Sequence, residues 1–219
     1  MKNILLLAAT IFISFSSIQA QEKKENKINR IYIFGAIGPA MSKGFASTVG
    51  ISTVVNKKWI ASLGYLNATR DASAPSDADF TVTYNSFFWG SFSISNHPTA
   101  ETKFTYLSFG RYYPATRKIS YILDAGIGIA KGQDFNYYDR SVTAKNGEQI
   151  IPWASSNYTV TKTDRTSFGA IARAGMDWAF SGGAGMGFDF YYNYCGGGIS
   201  DNIGFNFRLM VGYMPRPPK

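Results

Sequence analysis

The sequence predicts an all-β protein, an eight-stranded antiparallel up-and-down transmembrane β-barrel. Segments of period two set aromatic and aliphatic residues on one face against Gly, Ser, Thr, Asn and a few Asp and Arg on the other, the alternation of a strand whose outside meets lipid. Lys and Glu are almost absent from the interiors of those segments; the four glutamates, Glu22, Glu25, Glu101 and Glu148, all fall outside them. Charged residues make up 16 % of the chain, below the roughly 25 % usual in soluble domains. Past the first twenty residues no apolar run is long enough to be a spanning helix, and a membrane protein without such helices closes its backbone hydrogen bonds as a barrel.

The chain begins with Lys2 and an apolar run from Ile4 to Phe15, then Ser16, Ser17 and the small Ala20. This pattern predicts a secretory signal over residues 1–20, cleaved after Ala20; the run is too short for a membrane anchor. Residues 21–29 read as a short polar lead, 30–214 as the barrel and 215–219 as a Pro-rich tail that does not pair. Cys195 is the sole cysteine, so no disulfide enters the folding argument.

Eight strands follow in order: Arg30 to Ile37, Phe45 to Val55, Trp59 to Asn67, Lys103 to Tyr113, Lys118 to Ala130, Ser167 to Phe180, Gly185 to Tyr194 and Ile203 to Tyr213. Several match the roughly 9 to 11 residues that a tilted strand needs to cross a bilayer. The last is the clearest, with Phe205, Phe207, Leu209, Val211 and Tyr213 on one face and Asn206, Arg208, Met210 and Gly212 on the other. Connections alternate in length. Asn56 to Lys58, Pro114 to Arg117 and Ser181 to Ala184 are tight turns, whereas Ala68 to Thr102 and Lys131 to Thr166 are long. Short turns at one rim and long loops at the other are the asymmetry of outer-membrane barrels. Phe80 to Tyr84, Phe87 to Ile94 and Thr159 to Thr161 either extend strands above the membrane or add a hairpin; eight strands are expected over ten.

Tyrosine and tryptophan favour the two headgroup levels. The turn-side ends of the strands carry Trp59, Tyr112, Tyr121, Trp178, Phe188 and Tyr213, and the loop-side ends carry Tyr65, Phe104, Phe168, Tyr194 and Phe205, which are read as two aromatic girdles. With aromatic faces outward, the inward positions include Arg111, Asp124, Arg173, Asp177, Asp189 and Arg208. An eight-stranded barrel is just wide enough for its side chains to fill it, and buried charges must be paired. The expectation is a lumen plugged by ion pairs. The competing reading is a soluble β-sandwich with the aromatic face as its core, but such a surface would normally recruit Lys and Glu.

The signal, the eight alternating strands, the aromatic last strand and the segment Gly110-Arg-Tyr-Tyr-Pro, a basic turn, then Tyr121-Ile-Leu-Asp-Ala-Gly-Ile-Gly-Ile resemble the small outer-membrane β-barrel domain family (OmpX/OmpA-like eight-stranded barrels). The resemblance covers most of the mature chain and rests on patterns, not on catalytic motifs. It implies residence in the outer membrane, contact with outer-membrane lipid, and insertion by the barrel assembly machinery, which reads the last strand. Here Met214 to Lys219 follow the final aromatic residue.

No catalytic, cofactor or metal site is assigned. His97, the sole histidine, lies in Ser95-Asn-His-Pro-Thr-Ala-Glu101; it is the one candidate base for a barrel hydrolase acting on outer-membrane lipid, and Pro98 and a long loop give it no preset geometry. One histidine and one cysteine make no ligand set, and the Gly pairs lie between strands, not before helices, so no phosphate loop is formed. The net charge is +8, with Lys23, Lys24, Lys27, Arg30, Lys57, Lys58, Arg117, Lys118, Arg216 and Lys219 all at the turn-side rim. That excess suits anionic lipid or an acidic periplasmic partner, and nucleic acid is not expected for an exported barrel. The function expected is non-enzymatic: a structural protein, or one that binds an extracellular ligand or adheres through its two long loops. Trp89, Tyr137, Tyr138 and Trp153 are contact candidates. The other readings are an accessory barrel of a secretion or uptake machine, and the His97 hydrolase.

Overall fold

A computed structural model of the chain describes residues 28–40, 44–72, 75–76, 78, 81–86, 90–95, 98–116, 118–139, 149–151, 157–180 and 182–214. The expected signal segment, most of the polar lead, the Pro-rich tail, His97, Trp89 and Trp153 lie outside the described residues.

The strands are β1 (Ile28–Ala40), β2 (Gly44–Val55), β3 (Trp59–Asp71), β4 (Thr81–Ser86), β5 (Gly90–Ser95), β6 (Thr99–Pro114), β7 (Ile119–Asp139), β8 (Gln149–Ile151), β9 (Tyr158–Ala179), β10 (Ala184–Cys195) and β11 (Asn202–Tyr213). Eight of them, β1, β2, β3, β6, β7, β9, β10 and β11, pair antiparallel in sequence order, and the ring closes where Ile33 of β1 faces Val211 of β11. Closure leaves no free sheet edge, the condition a backbone must meet in hydrocarbon.

The stretch between β3 and β6 does hold an extra hairpin, but among the described residues β4 and β5 pair with each other and not with the barrel strands. The barrel strands are longer than their lipid-crossing parts. Glu101, expected in a loop, belongs to β6 and pairs with Lys103 at 3.0 Å. A strand that runs on beyond the lipid regains the freedom to carry charge, which is why the Lys and Glu signal marks the span and not the strand end.

Burial alternates residue by residue along β1, β3, β6 and β10. The outward set is apolar and open: Phe168 is 82 % exposed, Ile127 74 % and Val211 68 %. On β10 and β11, Phe188 stacks with Phe205 at 5.7 Å, while Phe190 meets Phe205 edge-on at 5.2 Å. Exposed apolar surface of this extent belongs to a protein whose surroundings are themselves apolar. A soluble sandwich would bury Phe190 and Leu209 and expose Arg173 and Asp189; here the first two are exposed and the last two are buried.

The interior is filled in three layers. At the turn end Tyr32, Val54, Ile60, Tyr112, Ile122 and Met214 form an apolar plug. At the loop end Leu66, Phe104, Ala130, Ile171 and Tyr191 form another, closed over by Ile199 from the segment between β10 and β11. That segment turns through Gly197 and Gly198 at φ +70 and +81, values open mainly to glycine. Asp201 holds it down by accepting the Cys195 N–H at 2.9 Å and the Tyr192 hydroxyl at 2.7 Å. Arg70 bonds Ser200 from the opposite wall.

Candidate functional site

Between the two apolar layers lies a charged one, built from facing positions of β6, β7, β9, β10 and β11. Arg173 donates to Asp124 twice, Nε to Oδ1 at 2.9 Å and Nη2 to Oδ2 at 2.6 Å. Its remaining donors reach the Tyr106 hydroxyl at 2.9 Å and Ser108 Oγ at 3.1 Å. Arg208 bonds Asp177 and lies 3.5 Å from Asp189. Asp177 also accepts the Tyr32 hydroxyl at 3.0 Å, and Asp189 accepts Asn206 Nδ2 at 3.1 Å. Phe34 lies between the two guanidinium groups, its ring centroid 5.7 Å from Arg173 and 5.4 Å from Arg208. Both cations thus have a carboxylate and an aromatic ring beside them, the arrangement that lets a charge exist out of water.

Five of the six charges expected inside are brought together there: Asp124, Arg173, Asp177, Asp189 and Arg208. Arg111 is not among them. It is exposed, with its guanidinium carbon 3.9 Å from the Trp59 ring centroid on the outside of the barrel. The reason is that β6 has the opposite parity from the one expected. Its inward set is Phe104, Tyr106, Ser108, Gly110 and Tyr112, and its outward set includes Leu107, Phe109 and Tyr113. Two expected girdle residues move with it: Phe104 and Tyr112 are buried in the interior, in the loop-end and turn-end layers respectively.

Glycines on β3, β7 and β9 explain the inward rings. A Cβ at Gly128 or Gly169 would come within 2.8 or 2.9 Å of the Phe104 ring, and one at Gly64 would fall on Tyr106. Inward glycines leave room that only a large side chain opposite fills. Arg30, expected on the basic rim, is likewise inside, buried with its charge 5.2 Å from the Tyr112 ring centroid. The residues that sequence reasoning missed are Tyr32, Phe34, Tyr106, Ser108 and Ile199; Gly64, Gly128 and Gly169 facing β6 were the available signal for Tyr106 and Phe104.

Of the other girdle positions, Trp59, Tyr65, Tyr121, Phe168, Trp178, Phe188, Tyr194 and Tyr213 are exposed on the outer face, and Phe205 is half-buried among its neighbours. Among the described residues no three His, Cys, Asp or Glu side chains converge as metal ligands.

Above the loop end a second structure stands apart. β6 leaves β7 at Gly132 and β10 leaves β9 at Gly169, but β7 and β9 remain paired up to Asp139 and Tyr158. Seven residues of β7 therefore rise beyond β6, roughly 20 Å at the rise of a strand. Beside them β8 adds Ile150 opposite Thr161. The projecting sheet has its own small core, Val160 packed with Ala78, Phe135, Tyr137 and Tyr158, in which Tyr137 and Tyr158 meet edge to face at 6.4 Å. At the loop-end rim of β2, β3 and β6 an open hollow of about 290 Å³ is lined by Gly44, Phe45, Thr69, Arg70, Asp71 and Thr99.

No protein-family model and no curated protein matches the sequence. Among solved structures the chain is similar to neisserial surface protein A, with 12 % identity over 84 % of this chain and 95 % of that one and a TM-score of 0.48. It is similar to the N-terminal β-barrel domain of Pseudomonas aeruginosa OprF, at 10 % identity over 85 % and 100 %, TM-score 0.45. It is also similar to Ail, the attachment invasion locus protein of Yersinia pestis, at 12 % identity over 84 % and 95 %, TM-score 0.44.

Proposed function

We propose that this chain is a non-enzymatic outer-membrane protein, held in the bilayer by a closed barrel, that presents the sheet at its loop end to an extracellular ligand. Residues 1–20 are removed on export, and the barrel assembly machinery inserts residues 30–214 with the tight turns in the periplasm. The observation that carries the reading is the continuation of β7 and β9 beyond their neighbours, with a separate core around Val160. A barrel needing only to cross a membrane has no use for a second packed sheet outside it. Ordering such a sheet costs conformational entropy that only added contacts repay. The interior supports the anchor role: a lumen crossed by paired charges and stoppered at both ends favours a rigid wall over a conduit.

The test is a variant in which residues 133–164 are replaced by a short turn, displayed on cells beside the intact chain. The expected result is unchanged heat-dependent gel mobility of the membrane fraction, the mark of a closed barrel, with loss of adhesion to immobilised matrix proteins and polysaccharides. Loss of insertion, or adhesion equal to that of the intact chain, counts against it.

A further inference from the structure

Arg111 is a charge on a greasy wall. Its outward neighbours along β6 are Phe109 and Tyr113, and across the ladders it faces Trp59 on β3 and the exposed Leu123 on β7. A cation facing lipid is costly at mid-membrane and nearly free at the headgroup level. Three residues separate Arg111 from the end of β6, about 10 Å at the rise of a strand, which sets it at that level on the turn side. Its guanidinium lies on the Trp59 ring, which itself stacks on Phe109 at 5.1 Å and 17°. Among the described residues the Arg111 side chain makes no ion pair and no hydrogen bond. Lys103 and Arg165 at the loop end, by contrast, have carboxylates at 3.0 Å.

Among the described residues the outer wall next to Arg111 offers no counter-charge. The turns next to Arg111 read Asn56-Lys-Lys58 and Ala115-Thr-Arg-Lys118, without a carboxylate, and the outward residues of β3, β6 and β7 at that end include none. The Lys58 carbonyl accepts the Tyr112 N–H at 2.8 Å, so that turn is held against the strand that carries Arg111. We infer that Arg111, backed by Trp59 and Phe109 and flanked by Lys58 and Lys118, binds the phosphate of an anionic glycerophospholipid in the leaflet facing the turns. A ring-backed guanidinium keeps a planar fork suited to two phosphate oxygens. The apolar wall of Leu107 and Leu123 beside it suits acyl chains, which a free phosphate lacks.

The inference rests on the reading of the chain as a membrane barrel, and its test separates the two. The full mature chain is placed in nanodiscs holding equal phosphatidylglycerol and phosphatidylcholine, and the lipid it retains on transfer to detergent is read by native mass spectrometry. The intact chain is expected to retain phosphatidylglycerol in preference. Arg111→Gln lowers that preference about fivefold, the contribution of one cation near an anionic surface; Trp59→Leu lowers it with the charge kept, and Arg111→Lys falls between. Arg165→Gln, at the far end, leaves it unchanged. Heat-dependent gel mobility confirms closure of each variant, and Trp59→Leu and Arg111→Lys carry the test should Arg111→Gln not close. A preference that closed variants at Arg111 and Trp59 do not move overturns the lipid site alone, as does displacement of the lipid by millimolar inorganic phosphate. An intact chain that does not enter nanodiscs overturns the membrane reading as well.

Discussion

Arg173 holds Asp124 by two parallel bonds, at 2.9 and 2.6 Å, from directly opposite positions of β9 and β7. The fork matches the carboxylate, and the pair is sealed between apolar layers, so removing one partner leaves the other charged and dry. Asp124→Leu is expected to cost about 3 to 5 kcal/mol, with much of the loss recovered in the double variant with Arg173→Met. Urea unfolding in vesicles, followed by gel mobility, reads both; a double variant as unstable as the single one would mean that Tyr106 and Ser108, left without their donor, dominate.

Asn56 and Lys57 both have positive φ, 54 and 55°, between Val55 and Lys58, whose N–H bonds the Val55 carbonyl at 3.2 Å. This is the backbone that a type I′ turn demands, and glycine is favoured at its second central position. Lysine there bears the cost of the left-handed region. Lys57→Gly is therefore expected to raise stability by about 1 kcal/mol, the left-handed cost less the entropy that glycine gains when unfolded. The unfolding midpoint in urea should rise with the slope unchanged.

Gly64 lies under the Tyr106 ring, and the Tyr106 hydroxyl accepts from Arg173. Gly64→Ala forces the ring aside and loosens the charged layer; the expected cost is about 1 to 3 kcal/mol. Tyr106→Phe in the same background separates the steric part from the lost hydrogen bond.

The projecting sheet should open independently of the barrel, because among the described residues Val160 packs in a small cluster separate from the two barrel layers. In Val160→Asp, amide exchange is expected to accelerate across 133–139 and 158–166 and to stay slow in the lower halves of β7 and β9. Such local opening, without global unfolding, is the behaviour of a separate cooperative unit.

The strand order, the closure and the wet side of most strands were legible because lipid outside and charge inside force opposite chemistries onto alternate residues, as on β11. On β6 that contrast fails. Both of its faces carry rings, Phe104, Tyr106 and Tyr112 inward against Phe109 and Tyr113 outward, and the one charge of its turn-side half, Arg111, points by sequence alone to an interior face. What overrode that sign is volume: the glycines facing β6 make large rings the interior filler, while a headgroup-level arginine is cheap. The ion pairs themselves were not legible from sequence, because pairing across β7 and β9 depends on register, and a slip of one residue would send Arg173 into lipid. The projecting sheet was also open beforehand, since Thr159 to Thr161 are as compatible with a loop as with a strand until β8 is placed beside them.

Outward Ile127, 74 % exposed near the middle of β7, and Tyr121, 51 % exposed near its turn end, separate a membrane barrel from a water-soluble one of the same shape. In lipid, arginine at the midplane costs about 2 to 4 kcal/mol and near an interface about 0 to 1. Ile127→Arg should therefore destabilise strongly and Tyr121→Arg little, although both replace an exposed residue on the same face of the same strand. Water around the barrel would make both near neutral, within about 0.5 kcal/mol as for most surface changes. The difference between the two variants, measured by urea unfolding in vesicles, reports depth directly because strand, face and new side chain are held fixed. Equal effects at the two positions would remove the lipid from around β7, and with it the reason for the exposed rings of Phe168 and Phe190.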